Sequence, residues 1–131
     1  MIGLDTNVLV RYLVRDDAVQ FEKAIELIER RLGVDEPGFV SVVAMAELVW
    51  VLDRAYGFSD SEIAAAIERT LQTESLVVES ENEVFAAMIA LREGRGSFGD
   101  ALIAALGVKA GCAHTLTFDR KALRLPGFAQ V

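Results

Sequence analysis

The chain has 131 residues, 53% hydrophobic and 25% charged, which is the length of one domain and apolar enough to exclude a disordered chain. No apolar run approaches the ~20 residues of a membrane span. The opening Met1-Ile2-Gly3-Leu4-Asp5 lacks the basic flank of a signal peptide, and the single Cys112 excludes an internal disulfide and suits a reducing, cytoplasmic setting.

The net charge of −7 opposes a general attraction to nucleic acid, but it is unevenly spread. Residues 1–91 hold 7 basic and 17 acidic side chains, whereas residues 92–131 hold 6 basic and 3 acidic ones. A phosphate backbone could therefore be held on the C-terminal side, notably by Arg95, Arg120 and Lys121. Ordinary solvated helix faces would account for the same charges.

Met1 to Leu4 reads as a short buried strand ending at Asp5, after which Thr6 opens a helix with Val8, Leu9, Tyr12 and Leu13 on one stripe. Asp16 or Asp17 can cap a second helix through about Leu32, stopped by Gly33 and followed by a Pro37-Gly38 loop. Phe39 and Val40 form a second strand. Ser41 is a candidate N-cap for a helix from about Val43 to Tyr56, and Ser59 begins another to about Gln72. Leu76 to Val78 is a third strand, followed by a helix from about Asn82 to Glu93. A glycine-containing loop leads into a helix from Phe98 or Gly99 to Ala110. Thr115 to Thr117 is a fourth strand, Asp119 to Leu123 a helical turn, and Phe128 to Val131 a possible edge strand. Short apolar strands alternating with amphipathic helices predict one α/β domain over residues 1–131, a three-layer α/β/α sandwich around a parallel sheet of four to five short strands.

Ligands of open parallel sheets bind beyond the carboxyl ends of the strands. Asp5 follows the first strand directly and Asp119 follows the fourth after one residue, so both are expected at one sheet edge. Asp100 falls in the first turn of its helix. Glu47 lies among Val43, Ala44, Ala46, Leu48, Val51 and Leu52, an apolar setting in which an acid calls for a partner, a metal or a function. Two like charges at ~4 Å in an effective dielectric near 20 repel by about 4 kcal/mol, and a hard cation such as Mg²⁺ or Mn²⁺ relieves that repulsion through oxygen ligands. Singly, Asp5 and Asp119 could be helix caps, Asp100 could serve a helix dipole, and Glu47 could pair with Arg54 or Arg11.

Four segments together resemble a known family. Leu4-Asp5-Thr6-Asn7-Val8-Leu9 resembles the first motif of PIN domains, in particular the VapC-type toxins of bacterial and archaeal toxin–antitoxin pairs. Ser41-Val42-Val43-Ala44-Met45-Ala46-Glu47-Leu48 resembles the second, Phe98-Gly99-Asp100-Ala101-Leu102-Ile103-Ala104-Ala105 the third, and Thr117-Phe118-Asp119-Arg120 the fourth. The resemblance implies a five-stranded parallel sheet, Mg²⁺ or Mn²⁺ dependence and endoribonuclease activity. It also implies dimers, and inhibition by a small cognate antitoxin. Carried across, it makes Asp5 and Asp100 the principal metal ligands and has Glu47 complete the site, with Asp119 on a second ion or bridging water. Thr6 or Asn7, Ser41 and Thr117 become hydrogen-bonding supports.

Other signals carry less. Gly94-Arg95-Gly96-Ser97-Phe98-Gly99 fits G-x-G-x-x-G but follows a helix, not the strand a dinucleotide site requires. His114 has no Cys or His neighbour for zinc, and Trp50 is expected in the core or a dimer interface. A phosphoryl-aspartate protein fits poorly, because Asn7 stands where a phosphatase needs a second Asp and Glu79-Ser80 follows the third strand where a receiver needs Asp. Two readings remain, a metal-dependent endoribonuclease and a PIN-like module that binds RNA or metal without cutting.

Overall fold

The computed structural model describes residues 1–131. Strand β1 (Ile2–Gly3) leads into helix α1 (Thr6–Leu13), and α2 (Ala18–Ile25) follows. Asp17 accepts a hydrogen bond from the Gln20 amide at 3.0 Å and so caps α2. The single helix expected to reach Leu32 instead changes winding. Glu26–Arg31 is π-helical, closed by the Leu32 amide on the Leu27 carbonyl at 2.9 Å. The buried Ser75 hydroxyl donates to the Ile28 carbonyl at 2.7 Å and ties this segment to the start of the third strand.

Strand β2 (Gly38–Val40), helix α3 (Val42–Arg54), helix α4 (Asp60–Gln72) and strand β3 (Leu76–Val78) come next. Ser41 caps α3 through the Ala44 amide, and Ser59 and Glu62 form a reciprocal capping box on α4. Helix α5 (Glu81–Arg92) ends in a Schellman turn. Arg95 donates to the Ala90 carbonyl, Gly94 donates to Leu91, and Gly94 sits at φ +70° where a side chain would be strained. That geometry accounts for the first glycine of the G-x-G-x-x-G string. Helix α6 (Phe98–Lys109), strand β4 (Thr115–Thr117), a 3₁₀ turn (Ala122–Arg124) and strand β5 (Phe128–Gln130) complete the chain.

The α/β architecture and the all-parallel pairing hold. The strands do not form one sheet, however. β1, β2 and β3 make a three-stranded parallel sheet in that order, and β4 pairs only with β5 in a separate parallel ladder. The β4–β5 ladder and the turn between its strands pack on α6 and the loop before it. Leu125 is buried against Gly96, where a Cβ would come within 2.6 Å of it. A Cβ on Gly107 would likewise meet the Thr115 hydroxyl at 2.6 Å, and one on Gly127 would meet Ala104 at 3.4 Å. The β4–β5 unit is thus seated on α6, and β1 remains the sheet's edge.

One core of 27 buried residues joins the helices to the three-stranded sheet. α3 contributes Ala44, Met45, Leu48 and Leu52 on one stripe, the last three with no exposed area. α5 and α6 approach closely through Ala87, Ala90, Ala101 and Ala104. Trp50, expected in the core or an interface, is 60% exposed with Arg54 over its ring.

A polar knot fastens the loop after α1 to the end of α3. Tyr56 donates to one Asp16 oxygen at 2.7 Å, and Arg11 donates to the other at 2.9 Å. The Tyr56 hydroxyl first, and then Arg11, hold the Asp16 carboxyl below its ordinary pKa of 3.8. A depressed folded pKa adds stability above the ordinary value, and that stability is lost as pH falls through the folded one. Tyr56→Phe should therefore lower the melting temperature at pH 7, with the gap to wild type closing as pH drops below 3.8. A gap that is constant from pH 7 to pH 2 would show that the knot is not electrostatic.

Candidate functional site

Each candidate acid is positioned by local backbone chemistry. Asp5 leaves β1 as the N-cap of α1, its Oδ1 accepting from the Thr6 amide at 2.8 Å, and Thr6 itself is buried. Asn7 follows in the first turn of α1 and is exposed. Asp100 is half-buried in the first turn of α6, its amide donating to the Ser97 hydroxyl at 3.1 Å, where the helix dipole favours a carboxylate. Glu47 projects from the exposed side of α3. Neither Arg54 nor Arg11 pairs with it, since Arg54 meets Asp53 and Arg11 meets Asp16. Asp119 accepts from the Lys121 amide at 2.9 Å, and its own amide donates to the Thr117 hydroxyl at 3.0 Å. Ser41 is committed to capping α3.

Asp5 and Asp119 follow strands of different ladders, so no hydrogen-bonded pairing joins the strands that lead to them. No three His, Cys, Asp or Glu side chains stand close enough together to hold a metal ion. The donors nevertheless fit a hard divalent cation in kind. All four are carboxylates, and none is neutralised by a salt bridge, whereas Asp16, Glu26, Asp53, Glu68, Glu83 and Glu93 each have a basic partner.

Among the basic candidates, Arg120 and Lys121 are exposed and form no ion pair, and so are free to meet phosphates. Arg95 is held by Glu93 at 2.9 Å. It also lines a cavity of about 350 Å³ between α5, α6 and Gly127. His114 is exposed, just before β4.

The sequence reading missed Glu79. It follows β3 directly, and its Oε1 accepts from the Val42 amide at 2.8 Å, so it caps α3 alongside Ser41. Asp5, Ser41 and Glu79 thus mark the carboxyl ends of the three strands of one sheet. The strand-end rule that picked out Asp5 applies equally to Glu79.

The cap at Asp5 separates structure from chemistry. Asn caps as well as Asp, while Ala does not. Asp5→Ala should cost about 1 kcal/mol in urea unfolding and Asp5→Asn only a few tenths. Equal losses would mean that the charge, not the cap, stabilises α1.

No curated protein matches the chain significantly. The PIN domain family model matches residues 2–127, a span that holds all four motif segments and runs from β1 to the turn before β5. Proteins of this family are typically nucleases, generally dependent on divalent metals, which supports a nuclease function for a chain whose candidate site is built of unpaired carboxylates. With nearly its whole length matched, the chain belongs to the PIN domain family.

Proposed function

We propose that the protein is an endoribonuclease dependent on Mg²⁺ or Mn²⁺, the toxin of a toxin–antitoxin pair, acting in the cytoplasm as a homodimer and restrained by a cognate antitoxin protein. The observation that carries the catalytic part is that the acids of all four family motifs are present, at Asp5, Glu47, Asp100 and Asp119, and none has a basic side chain for a partner.

Asp5 and Asp100 would be the principal ligands, joined by Glu47 and Asp119. A cation held there would lower the pKa of a water and offset charge on the phosphate. Glu47, exposed and unpaired, is suited to take the proton of the attacking water. The water oxygen bonds to phosphorus as the bond to the leaving ribose oxygen breaks, giving one phosphate monoester and one free hydroxyl. Thr6 and Thr117 hold the turns that carry Asp5 and Asp119 through their backbone and hydroxyl contacts. Arg120 and Lys121 flank Asp119 and suit the RNA backbone, which they would contact without reading bases. Arg95 would join them only by exchanging Glu93 for a phosphate.

A PIN-like module that binds RNA or metal without cutting is favoured by one observation, the absence of three converging acids in a single chain. Cleavage assays on single-stranded and structured RNA separate the two. The proposal expects cutting in Mg²⁺ or Mn²⁺ that EDTA abolishes. It also expects Asp5→Asn and Asp100→Asn to lose at least about a hundred-fold while circular dichroism stays native, since even the hydrogen-bonding partners of metal ligands are worth 10- to 100-fold. Cleavage in EDTA, or full activity in Asp5→Asn, would overturn it.

A further inference from the structure

The chain's one tryptophan stands on the open side of α3 and borders a cavity of about 480 Å³. Trp50, Asp53 and Arg54 on α3, Asp60 on α4, and Gly94 and Gly99 around the start of α6 contribute to its lining. The cavity adjoins the candidate site. Glu47 lies one turn before Trp50 on the same exposed side of α3, and Gly99 directly precedes Asp100. Nothing in the chain covers the indole closely. Arg15 and Arg69 stack on Phe21 and Tyr12 with 4.6 Å between guanidinium and ring centre, whereas Arg54 stands 6.0 Å from the centre of Trp50. Gly94 and Gly99 add bare backbone, with open space where a side chain would lie.

The charged part of the lining selects the ligand. Asp60 is exposed and has no basic partner, while Asp53 shares its charge with Arg54 at 3.7 Å. An apolar protein surface fits poorly against such a wall, because charged residues are depleted at the core of protein interfaces. A nucleobase fits well. Its face stacks on an aromatic ring, its edge carries N–H donors, and an ionised carboxylate only accepts. Among the RNA bases guanine alone sets two donors side by side, N1–H and N2–H, which one carboxylate takes with both oxygens.

We infer that this cavity is a guanine subsite for RNA, with Trp50 stacked on the base and Asp60 accepting from its Watson–Crick edge. In taking RNA as the ligand, the inference rests on the nuclease reading. A guanine held here lies beside Glu47 and Asp100, so cuts fall next to guanines. The subsite reads a base, which Arg120 and Lys121 as phosphate contacts do not.

Binding can be read without cutting. Trp50 is the only source of tryptophan emission, so its quenching reports this cavity alone. With EDTA present, a uridine tetranucleotide carrying one G should quench it saturably. The same RNA with A, C or U in that place should bind about ten-fold more weakly or worse, the discrimination of one good bidentate contact. Fluorescence anisotropy of labelled RNA then follows the variants. Trp50→Ala should lose about ten-fold or more in affinity, as for one stacked base, and Trp50→Phe should keep most of it. Asp60→Asn should bind without preferring G, because an amide offers one acceptor and a donor, and it leaves the Ser59–Glu62 capping box of α4 intact. Equal quenching by all four RNAs, or by none, would overturn the subsite. So would a Trp50→Ala protein that passes from dimer to monomer in gel filtration, since the ring would then belong to a protein interface. A wild type that binds the G-containing RNA as expected yet cuts nothing in Mg²⁺ or Mn²⁺ sinks the nuclease reading and leaves the subsite standing. One that cuts without regard to guanine does the reverse.

Discussion

The structure depends on a sheet too short to hold itself together. Its three paired strands have two, three and three residues, so the ladder supplies few hydrogen bonds, each of modest net worth in water. Burial of helix faces does the holding. α3 is central to it, because Met45, Leu48 and Leu52 are sealed in the core, and fully burying one such side chain stabilises by about 1.5–3 kcal/mol. Both groups that cap the start of α3, Ser41 and Glu79, come from the strand ends, and so the position of the helix carrying Glu47 is set by the sheet edge.

The same economy leaves the strand edges exposed. A two-residue strand with a glycine offers its outer neighbour almost no side-chain surface, so whether a further strand joins it is decided elsewhere. The close approach of Gly96 to Leu125, of Gly107 to Thr115 and of Gly127 to Ala104 seats the C-terminal unit against α6.

Local signals were legible in the sequence wherever the determining chemistry is local. The caps at Asp17, Ser41 and Ser59 were read from Ser and Asp before apolar stripes, and the strand at Leu76–Val78 from a short β-branched run. Of the glycines before Asp100, read together as turn residues, Gly94 holds the Schellman turn, Gly96 makes room for Leu125 and Gly99 lies within α6. The family, too, was legible, because its four motifs recur in order. Strand partnership was not, since β4 lies more than a hundred residues from β1 and its choice of α6 over β1 turns on packing that no window reports. The change to π winding at Glu26–Arg31 escaped as well; the Ser75 hydroxyl that donates to its Ile28 carbonyl lies 47 residues away. Trp50 was assigned to the core or a dimer interface from its apolar helix neighbours, and its 60% exposure excludes the core.

Acid and base therefore stand in a different relation from the one net charge suggests. A −7 protein ought to repel RNA at long range, and screening over about 8–10 Å confines that repulsion to the near surface. What matters at the site is which charges are already spent. Arg11, Arg30, Arg54, Arg92, Arg95 and Lys109 are occupied by neighbouring acids, while Arg120, Lys121 and Arg124 are not. Of the seven cations without an acidic partner, Arg15, Lys23, Arg31 and Arg69 lie between residues 15 and 69, whereas Arg120, Lys121 and Arg124 belong to the same short segment as Asp119. A phosphate backbone drawn to that segment arrives beside Asp119, one carboxylate of the candidate site.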